Sequence, residues 1–343
     1  TELLMPRSHR LRPYDLGALL AAGHTTVRVK ARPKVGIIPT GDELIQPGEE
    51  ATPGAVIDFN STVLAAFVRE WGGAPVKYPR AKDDAALLKA ALLHALAHCD
   101  LVTIIAGSSA GEHDLTADVV ADAGELLAHG IDVMPGKPAV LGAALGKPVL
   151  GVPGYPVSAI VIAREILRPA LEKFLSNSAP THPTVRAIVP KKIASHLGLE
   201  EFIRVTLGRV GAKLVAVPLA RGAGVITTMV HADGLMRIPS LVEGLNAGEG
   251  AEVELLRPIA SHWTYRDFLT LLVSEEIAHR QQTRLDRLLR RARFPFFKTI
   301  DDFNFTYQST VRLSLLGSAL ASEFVTDGRC LILSGKPGRG KTH

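Results

Sequence analysis

Acidic residues, glycines and serines recur in short segments that directly follow apolar stretches. The segment TGDEL at 40–44 places Asp42 and Glu43 directly after the apolar run VGIIPT (35–40). The segment AGSSAGEHDLT at 106–116 begins at the end of the apolar run LVTIIAG (101–107). Carboxylates at such positions can hold a divalent cation or transfer a proton. Backbone N–H groups of a loop of small residues can bind a phosphate, helped by the dipole of the helix that follows. The two segments are candidate parts of an anion- and metal-binding site, although each alone is also typical of a polar turn.

Within the second segment, Gly107, Ser109 and Gly111 leave room for a phosphate, and Asp114 follows where it could hold a metal ion or polarise water. Further short polar segments lie between apolar stretches. They are DFNS (58–61), KDD (82–84), PGKP (135–138) and GVPGYPVS (151–158). Several loops at one sheet edge are how a site is assembled in an open α/β sheet.

Apolar runs and helical patterns alternate from Lys34 to about residue 176, which predicts an α/β domain with a mostly parallel sheet covered on both faces. Strands are predicted at 35–40, 74–79 and 101–107, and strand-like segments around 139–152. Helices are predicted after caps at Asn60 or Ser61 and at Asp83, near 116–128, and from Val157 until Pro169 ends or kinks the last one.

Two other regions flank this one. Residues 1–33 contain a short helix, DLGALLAAG, and the segment TTVRVKARP, which alternates like an exposed strand. Residues 183–257 show short runs with period-two alternation between glycines and prolines, and these predict a small β-barrel or sandwich after a linker at 176–183.

The net charge of +5 is located at the carboxyl-terminal end. Residues 1–257 hold 26 basic and 26 acidic side chains, whereas residues 258–343 hold 13 and 8. Four arginines, Arg280, Arg284, Arg287 and Arg291, share one face of a predicted helix. Binding of nucleic acid is therefore expected only through this tail, if the helix is not simply a solvated charged surface. The composition break also suggests two pieces with different histories.

The tail ends in GKPGRGKT at 335–342, a full match to the phosphate-binding pattern GxxxxGK[ST] after the apolar run CLILS. In that pattern backbone N–H groups surround the phosphates, with Gly335 and Gly340 allowing their approach. Lys341 reaches the β and γ phosphates and Thr342 holds Mg²⁺. ATP binding is expected here, without hydrolysis, because no acidic second strand follows.

The motifs TGDEL, DFNS, GEHD, PGKP and GxPGxPVS, in this order and spacing, resemble the molybdopterin molybdenumtransferase family of the MoeA and gephyrin type over about residues 11–257. This resemblance implies a three-layer α/β/α domain at 34–176, a β-barrel domain at 183–257 and a remnant of an N-terminal domain at 1–33. It implies adenylylated molybdopterin and molybdate as substrates, Mg²⁺ as cofactor, release of AMP, and a homodimer.

The resemblance also implies roles for particular residues. Glu43, Asp83 and Asp114 match catalytic acids, and Glu43 and Asp114 would hold the metal. The substrate-binding positions that it implies are Gly107, Ser109, Gly111, Lys137, Pro153, Gly154, Pro156 and Ser158. The family usually has lysines where this sequence has Met134 and Gly130. Arg204 could contact an anion, but a solvated strand arginine is the expectation.

Residues 266–343 are similar to the N-terminal part of insertion-sequence ATP-binding proteins of the IstB type. Two alternatives to molybdate insertion therefore remain open at this stage. One is an ATP-binding helper of DNA transposition, and the other is a non-catalytic module that binds the pterin or molybdate. Two distant cysteines and the lack of a long apolar span favour a cytoplasmic protein without a membrane segment.

Overall fold

A computed structural model describes residues 3–50, 52–106, 115–176, 183–259 and 264–292. The chain divides into two compact units, Thr1–Ile277 and Ala278–His343. The first unit carries the candidate site and is described in detail. Of the second, only the helix that continues from the first is within the described residues.

The described residues form the following elements. The helices are α1 (Pro13–Ala21), α2 (Asn60–Glu70), α3 (Ala85–His98), α4 (Leu115–Ala123), α5 (Pro156–Ile162), α6 (Arg168–Leu175), α7 (Thr227–His231) and α8 (Tyr265–Ala292). The strands of the first part are β1 (Lys34–Pro39), β2 (Leu44–Ile45), β3 (Val56–Ile57), β4 (Ala74–Lys77), β5 (Leu101–Ala106), β6 (Glu125–His129), β7 (Val133–Met134), β8 (Val140–Ala144) and β9 (Lys147–Pro153). Those of the second part are β10 (Thr184–Ile188), β11 (Ile193–Ala194), β12 (Glu200–Val210), β13 (Lys213–Pro218), β14 (Gly234–Ile238), β15 (Gly244–Leu245) and β16 (Gly250–Leu255).

The first sheet has the order β4-β1-β5-β9-β8-β6. Its strands β4, β1, β5 and β9 run parallel, whereas β8 and β6 form an antiparallel edge. The predicted mostly parallel α/β sheet is therefore confirmed. Since β1, β5 and β9 are parallel neighbours, their carboxyl ends lie side by side at one edge.

Helices cover this sheet on both faces, as its apolar runs require. Val35 and Ile37 of β1 pack with Leu64 of α2 and Ile162 of α5 on one face. On the other face, Ile38 lies in a second cluster with residues of α3 and α4. Side chains of successive strand residues point to opposite faces, so one strand contributes to both layers.

The second sheet pairs in a ring. Antiparallel pairs join β13 to β12, β12 to β14, β14 to β16 and β16 to β10, and a parallel pair between Ile188 and Val215 joins β10 to β13. The sheet thus closes on itself around an apolar core. Strand β7 of the first part pairs with the start of β12, so the backbone hydrogen bonding continues from one part to the other.

Three local expectations differ from the structure. The helix predicted near 116–128 ends at Ala123, and residues 125–129 form β6. A Cβ on Gly124 would lie 2.2 Å from the Ala143 carbonyl oxygen, so the chain turns where only glycine fits. Residues 24–32, predicted as an exposed strand, are exposed but form no strand. Pro169 does not end the last helix, because a π-helical turn, Ala163–Leu167, joins α5 to α6 ahead of it.

Helix α8 is 28 residues long and strongly polar. The four arginines predicted to share a face, Arg280, Arg284, Arg287 and Arg291, lie on it and are exposed. Among the described residues, no helix is long and apolar enough to cross a membrane.

Candidate functional site

A cleft of about 330 Å³ opens at the carboxyl ends of β1, β5 and β9. Most of its wall is apolar, and its residues come from five separate stretches of the sequence. The lining includes Thr40, Glu43, Asp58, Asn60, Ile105, Gly154, Tyr155, Pro156 and Gly224. Three predicted site residues, Glu43, Gly154 and Pro156, therefore meet in one place, although 113 positions separate the first from the last.

The TGDEL turn is held against the neighbouring strand. The buried Thr40 donates its N–H to the Ile105 carbonyl at 2.9 Å, and its Oγ1 donates to the same oxygen at 3.1 Å. Gly41 has φ 137°, and a Cβ there would lie 2.7 Å from Oε2 of Glu43. The turn therefore needs glycine for its backbone and for the Glu43 carboxylate, which folds back over it.

Asp83 lies beside this turn but does not cap α3, contrary to the expectation. Asp84 is the cap, with its carboxylate accepting from Leu87 N–H at 2.9 Å. Asp83 instead accepts from the N–H of Asp42 at 3.4 Å. Arg80 donates to the carbonyls of Asp42 and Leu44. The structure thus places Asp83 next to the Glu43 turn, where it supports the backbone.

Asp58 and Asn60 of the DFNS segment complete one side of the cleft. Asn60 Nδ2 donates to the Gly154 carbonyl at 2.6 Å. This bond joins the start of α2 to residues 153–156, here called the proline loop. Asp58 is buried, and its Oδ1 accepts from Ser61 N–H at 3.1 Å. Its Oδ2 has no partner among the described residues. The sequence indicated DFNS as one of the loops of the site and Asn60 or Ser61 as a helix cap, but it gave Asp58 no role of its own.

The proline loop, Pro153 to Pro156, leads from β9 into α5 and presents Tyr155 at the rim of the cleft. Tyr155 is half exposed, whereas Ser158 is buried inside the helix. The N–H of Val157 donates to the Ala223 carbonyl at 3.0 Å. The first turn of α5 is therefore capped by the domain that contains the second sheet (residues 183–259, here the second domain), and Ser158 lies behind the cleft wall.

Lys137 does not line this cleft. It is exposed and borders a separate shallow cavity with Asp132, Met134 and His196. Gly130 has φ 84°, a left-handed conformation in which a lysine would be strained. The backbone at position 130 therefore favours glycine over the lysine that the family resemblance predicts there.

Arg204 is not a solvated strand arginine, because only 2% of it is exposed. Its Nη2 donates to the carbonyls of Ala220 at 2.6 Å and Gly222 at 3.1 Å. Burial, together with the nearby charge of Arg221, lowers the pKa of Arg204 to about 10, although Glu201 opposes this shift. The guanidinium therefore stays charged at neutral pH inside the protein.

A divalent cation fits the oxygen chemistry of the cleft. Glu43 offers an exposed carboxylate, and the Asp58 Oδ2 lacks a partner in the part of the chain described here. No group of three histidine, cysteine, aspartate or glutamate side chains suited to a metal occurs within the described residues. Gly107, Ser109, Gly111 and Asp114 lie outside them. The phosphate-binding pattern of the tail, with Gly335, Gly340, Lys341 and Thr342, also lies outside them.

Family models match three parts of the chain. A probable molybdopterin binding domain matches residues 36–173, and the MoeA C-terminal region (domain IV) matches residues 186–256. An IstB-like ATP binding protein model matches residues 249–343, starting before residue 266, where the sequence resemblance begins. Its first residues overlap β16, which the structure places in the ring of the second sheet.

Relatives and solved structures agree with these matches. Molybdopterin molybdenumtransferase 2 of Mycobacterium tuberculosis is 32% identical over 70% of this chain and 61% of its own length. A molybdopterin biosynthesis MoeA protein of Pyrococcus horikoshii is 35% identical, with a TM-score of 0.65, over 74% of this chain and 62% of that one. The chain thus spans about three fifths of the relatives' length.

A molybdenum cofactor biosynthesis protein of Pyrococcus furiosus is 31% identical over 71% of this chain and 76% of its own length, with a TM-score of 0.53. The chain belongs to the molybdopterin molybdenumtransferase (MoeA) family.

Proposed function

We propose that residues 34–257 bind adenylylated molybdopterin and molybdate and carry out molybdenum insertion with release of AMP. The observation that carries this proposal is the single cleft at the carboxyl ends of β1, β5 and β9. It brings together Glu43, Asp58 and the proline loop from separate parts of the sequence. A flat pterin suits the mostly apolar wall, and the carboxylates suit a metal ion.

The residues would divide the work as follows. Gly107, Ser109 and Gly111 would hold the phosphate of the substrate through backbone N–H groups. Glu43 and Asp114 would hold Mg²⁺, which would neutralise the anions that meet in the site. Asp83 would keep the Glu43 turn in place, through the bond that it accepts from Asp42 N–H. Pro153, Gly154 and Pro156 would shape the wall, and Lys137 and Ser158 would act at its periphery.

The test is molybdate-dependent release of AMP from adenylylated molybdopterin by the full chain. We expect Glu43→Gln to lower the rate at least about tenfold, because it removes a charged ligand of the Mg²⁺ that would neutralise the reacting anions. Asp42→Asn is the matched control, since Asp42 is the adjacent exposed acid of the same turn and does not line the cleft. Equal rates for Glu43→Gln and the unmodified chain would exclude this site.

A non-catalytic binding module is the second candidate, favoured by Met134 and Gly130 in place of the family's lysines. Fewer cations would weaken binding of molybdate more than binding of the pterin ring. If the chain binds adenylylated molybdopterin but releases no AMP with molybdate and Mg²⁺ present, binding without turnover is its function. AMP release on the same sample excludes this candidate.

For the tail we propose ATP binding through Gly335, Gly340, Lys341 and Thr342, supported by the IstB-like match over 249–343. Contact with nucleic acid would use the exposed arginines of α8. We expect Lys341→Ala to abolish ATP binding and to leave AMP release unchanged. ATP binding that persists in Lys341→Ala would contradict this assignment. The family resemblance further supports a homodimer, which sedimentation of the full chain would test.

A further inference from the structure

The second domain reaches the cleft through one short loop, residues 219–224, which follows β13. Gly224 of this loop lines the cleft beside Tyr155. A Cβ added on Gly224 would lie 3.5 Å from Cδ1 of the Tyr155 ring, so a side chain at this position would contact the ring. The loop is therefore part of the cleft wall, although it belongs to the other domain.

The same loop caps helix α5. The Ala223 carbonyl accepts the N–H of Val157, in the first turn of the helix that follows the proline loop. Such an N–H would otherwise be open to an anion or to water. Any displacement of the loop would therefore change both the rim of the cleft and the start of α5.

Arg204 holds the loop from inside the protein. Its Nη2 donates to the carbonyls of Ala220 and Gly222, and its own carbonyl accepts Leu219 N–H at 2.9 Å. Arg221 adds a second attachment, since its Nη1 lies 3.2 Å from Glu201 Oε1 and donates to the Ala194 carbonyl at 2.8 Å. A charged donor bound to two carbonyls is a stronger restraint than a neutral side chain could supply.

Arg204 itself is held in place by packing. Phe202, two residues earlier on β12, packs with Val157 and Val161 of α5. Residues 201–205 of β12 are all buried, so both faces of this strand are covered. The Arg204 side chain thus extends from a buried strand, whereas the loop that its guanidinium holds lines the cleft through Gly224.

We propose that Arg204 is a positioning residue that fixes loop 219–224 as the second wall of the cleft and thereby sets the affinity for the pterin substrate. The role of the wall in pterin binding rests on the function proposed above. The attachment of the loop by Arg204 does not rest on that function, and cleavage by trypsin tests it separately.

The loop is tested with trypsin, because Arg221 is followed by Gly222 at a cleavable bond. In the unmodified full chain we expect this bond to resist cleavage under native conditions. In Arg204→Lys, whose ammonium lacks the planar fork, we expect cleavage between Arg221 and Gly222, identified by mass spectrometry. Arg209→Lys is the matched control, an exposed arginine on the same strand. Resistance in Arg204→Lys equal to that of the control would overturn the proposal.

The effect on the site is measured as the KM and kcat of AMP release. We expect Arg204→Lys to raise KM for adenylylated molybdopterin about tenfold with a much smaller change in kcat, since hydrogen bonds of a charged group are lost behind the wall. A fall in substrate binding while the Arg221–Gly222 bond stays protected would mean that Arg204 contacts the ligand itself, and would overturn the positioning role.

A second pair of variants avoids the buried charge altogether. Gly17 of α1 and Gly224 both lack a positive φ and have room for a Cβ, but only Gly224 lines the cleft. We expect Gly224→Val to raise KM at least about tenfold by filling the rim, while Gly17→Val leaves KM close to that of the unmodified chain. Equal KM values for both variants would show that the loop is no wall of the site. If the unmodified chain neither binds nor turns over the pterin, the proposed function fails, while the trypsin result still decides the role of Arg204.

Discussion

At the scale of single residues, the cleft depends on groups whose position is fixed by backbone geometry rather than by side-chain type alone. Glu43 would be an ordinary exposed acid, but the turn at Gly41 folds its carboxylate back toward the ends of β1 and β5. Thr40 anchors the same turn with two bonds to Ile105. The chemistry of the acid is therefore inseparable from the glycine two residues before it.

Gly41→Ala tests this dependence. The new Cβ would meet the Glu43 carboxylate at 2.7 Å in a backbone with φ 137°, so we expect a displaced carboxylate and strongly reduced AMP release. The strain should also cost about 1–3 kcal/mol of unfolding free energy. Gly48→Ala is the control, because Gly48 has φ 96° and nothing within 4 Å of its Cβ position. Comparable activity in the two variants, measured together with urea unfolding, would contradict the argument.

At the scale of elements, the apolar runs predicted the main strands that end at the site, but not the short strands β2 and β3, which also line it. The runs VGIIPT and LVTIIAG became β1 and β5, because continuous apolar runs fit strands covered on both faces. Neighbouring acids were harder to assign. Asp83 and Asp84 have the same residue type, and only the three-dimensional start of α3 decides which of them caps it.

The two acids should therefore separate stability from activity. Asp84→Ala removes the bond to Leu87 N–H, and we expect it to lower the unfolding free energy by about 1 kcal/mol with little change in AMP release. We expect Asp83→Ala to lower AMP release with little change in the unfolding free energy, because the Asp83 carboxylate accepts from the Glu43 turn and not from the helix. The measurement is urea unfolding beside initial rates. A larger loss of stability in Asp83→Ala than in Asp84→Ala would refute the assignment.

The π-helical turn between α5 and α6 carries the second prediction at this scale. Burial raises the pKa of Glu165, with Glu254 and Glu200 adding to the shift and Arg237 and Arg164 opposing it. A carboxyl whose pKa is raised in the folded state lowers stability as the pH rises above its ordinary value near 4.5. We therefore expect Glu165→Gln to raise Tm at pH 7 and to lose this advantage at pH 4. A Tm difference that is independent of pH would show that ionisation of Glu165 plays no part.

At the scale of the whole molecule, the sequence predicted two folded parts and a basic tail, but not how the parts share a site. Ring closure through Ile188 and Val215, the pairing of β7 with β12, and the bond from Val157 to Ala223 all join residues far apart in the chain. The residue pattern of a single strand or helix contains no information on which distant residues it will pair with. Arg204 shows the consequence, since a strand arginine was expected in solvent, but its guanidinium is buried and donates to the carbonyls of Ala220 and Gly222.

These long-range pairs predict that the cleft needs the ring but not the tail. Strand β16 ends at Leu255, and Ile259 still packs against the ring's core, so a chain ending at Ile259 keeps every contact described for the cleft. We expect this shortened chain to unfold cooperatively and to bind adenylylated molybdopterin like the full chain. It should lose affinity for double-stranded DNA at low salt, because the exposed arginines of α8 are removed.

A shortened chain that ends at residue 176, without the ring, is the comparison. It should fail to bind the pterin, because loop 219–224 would be missing from the wall. Pterin binding by that shorter chain would show that the first domain alone forms the site.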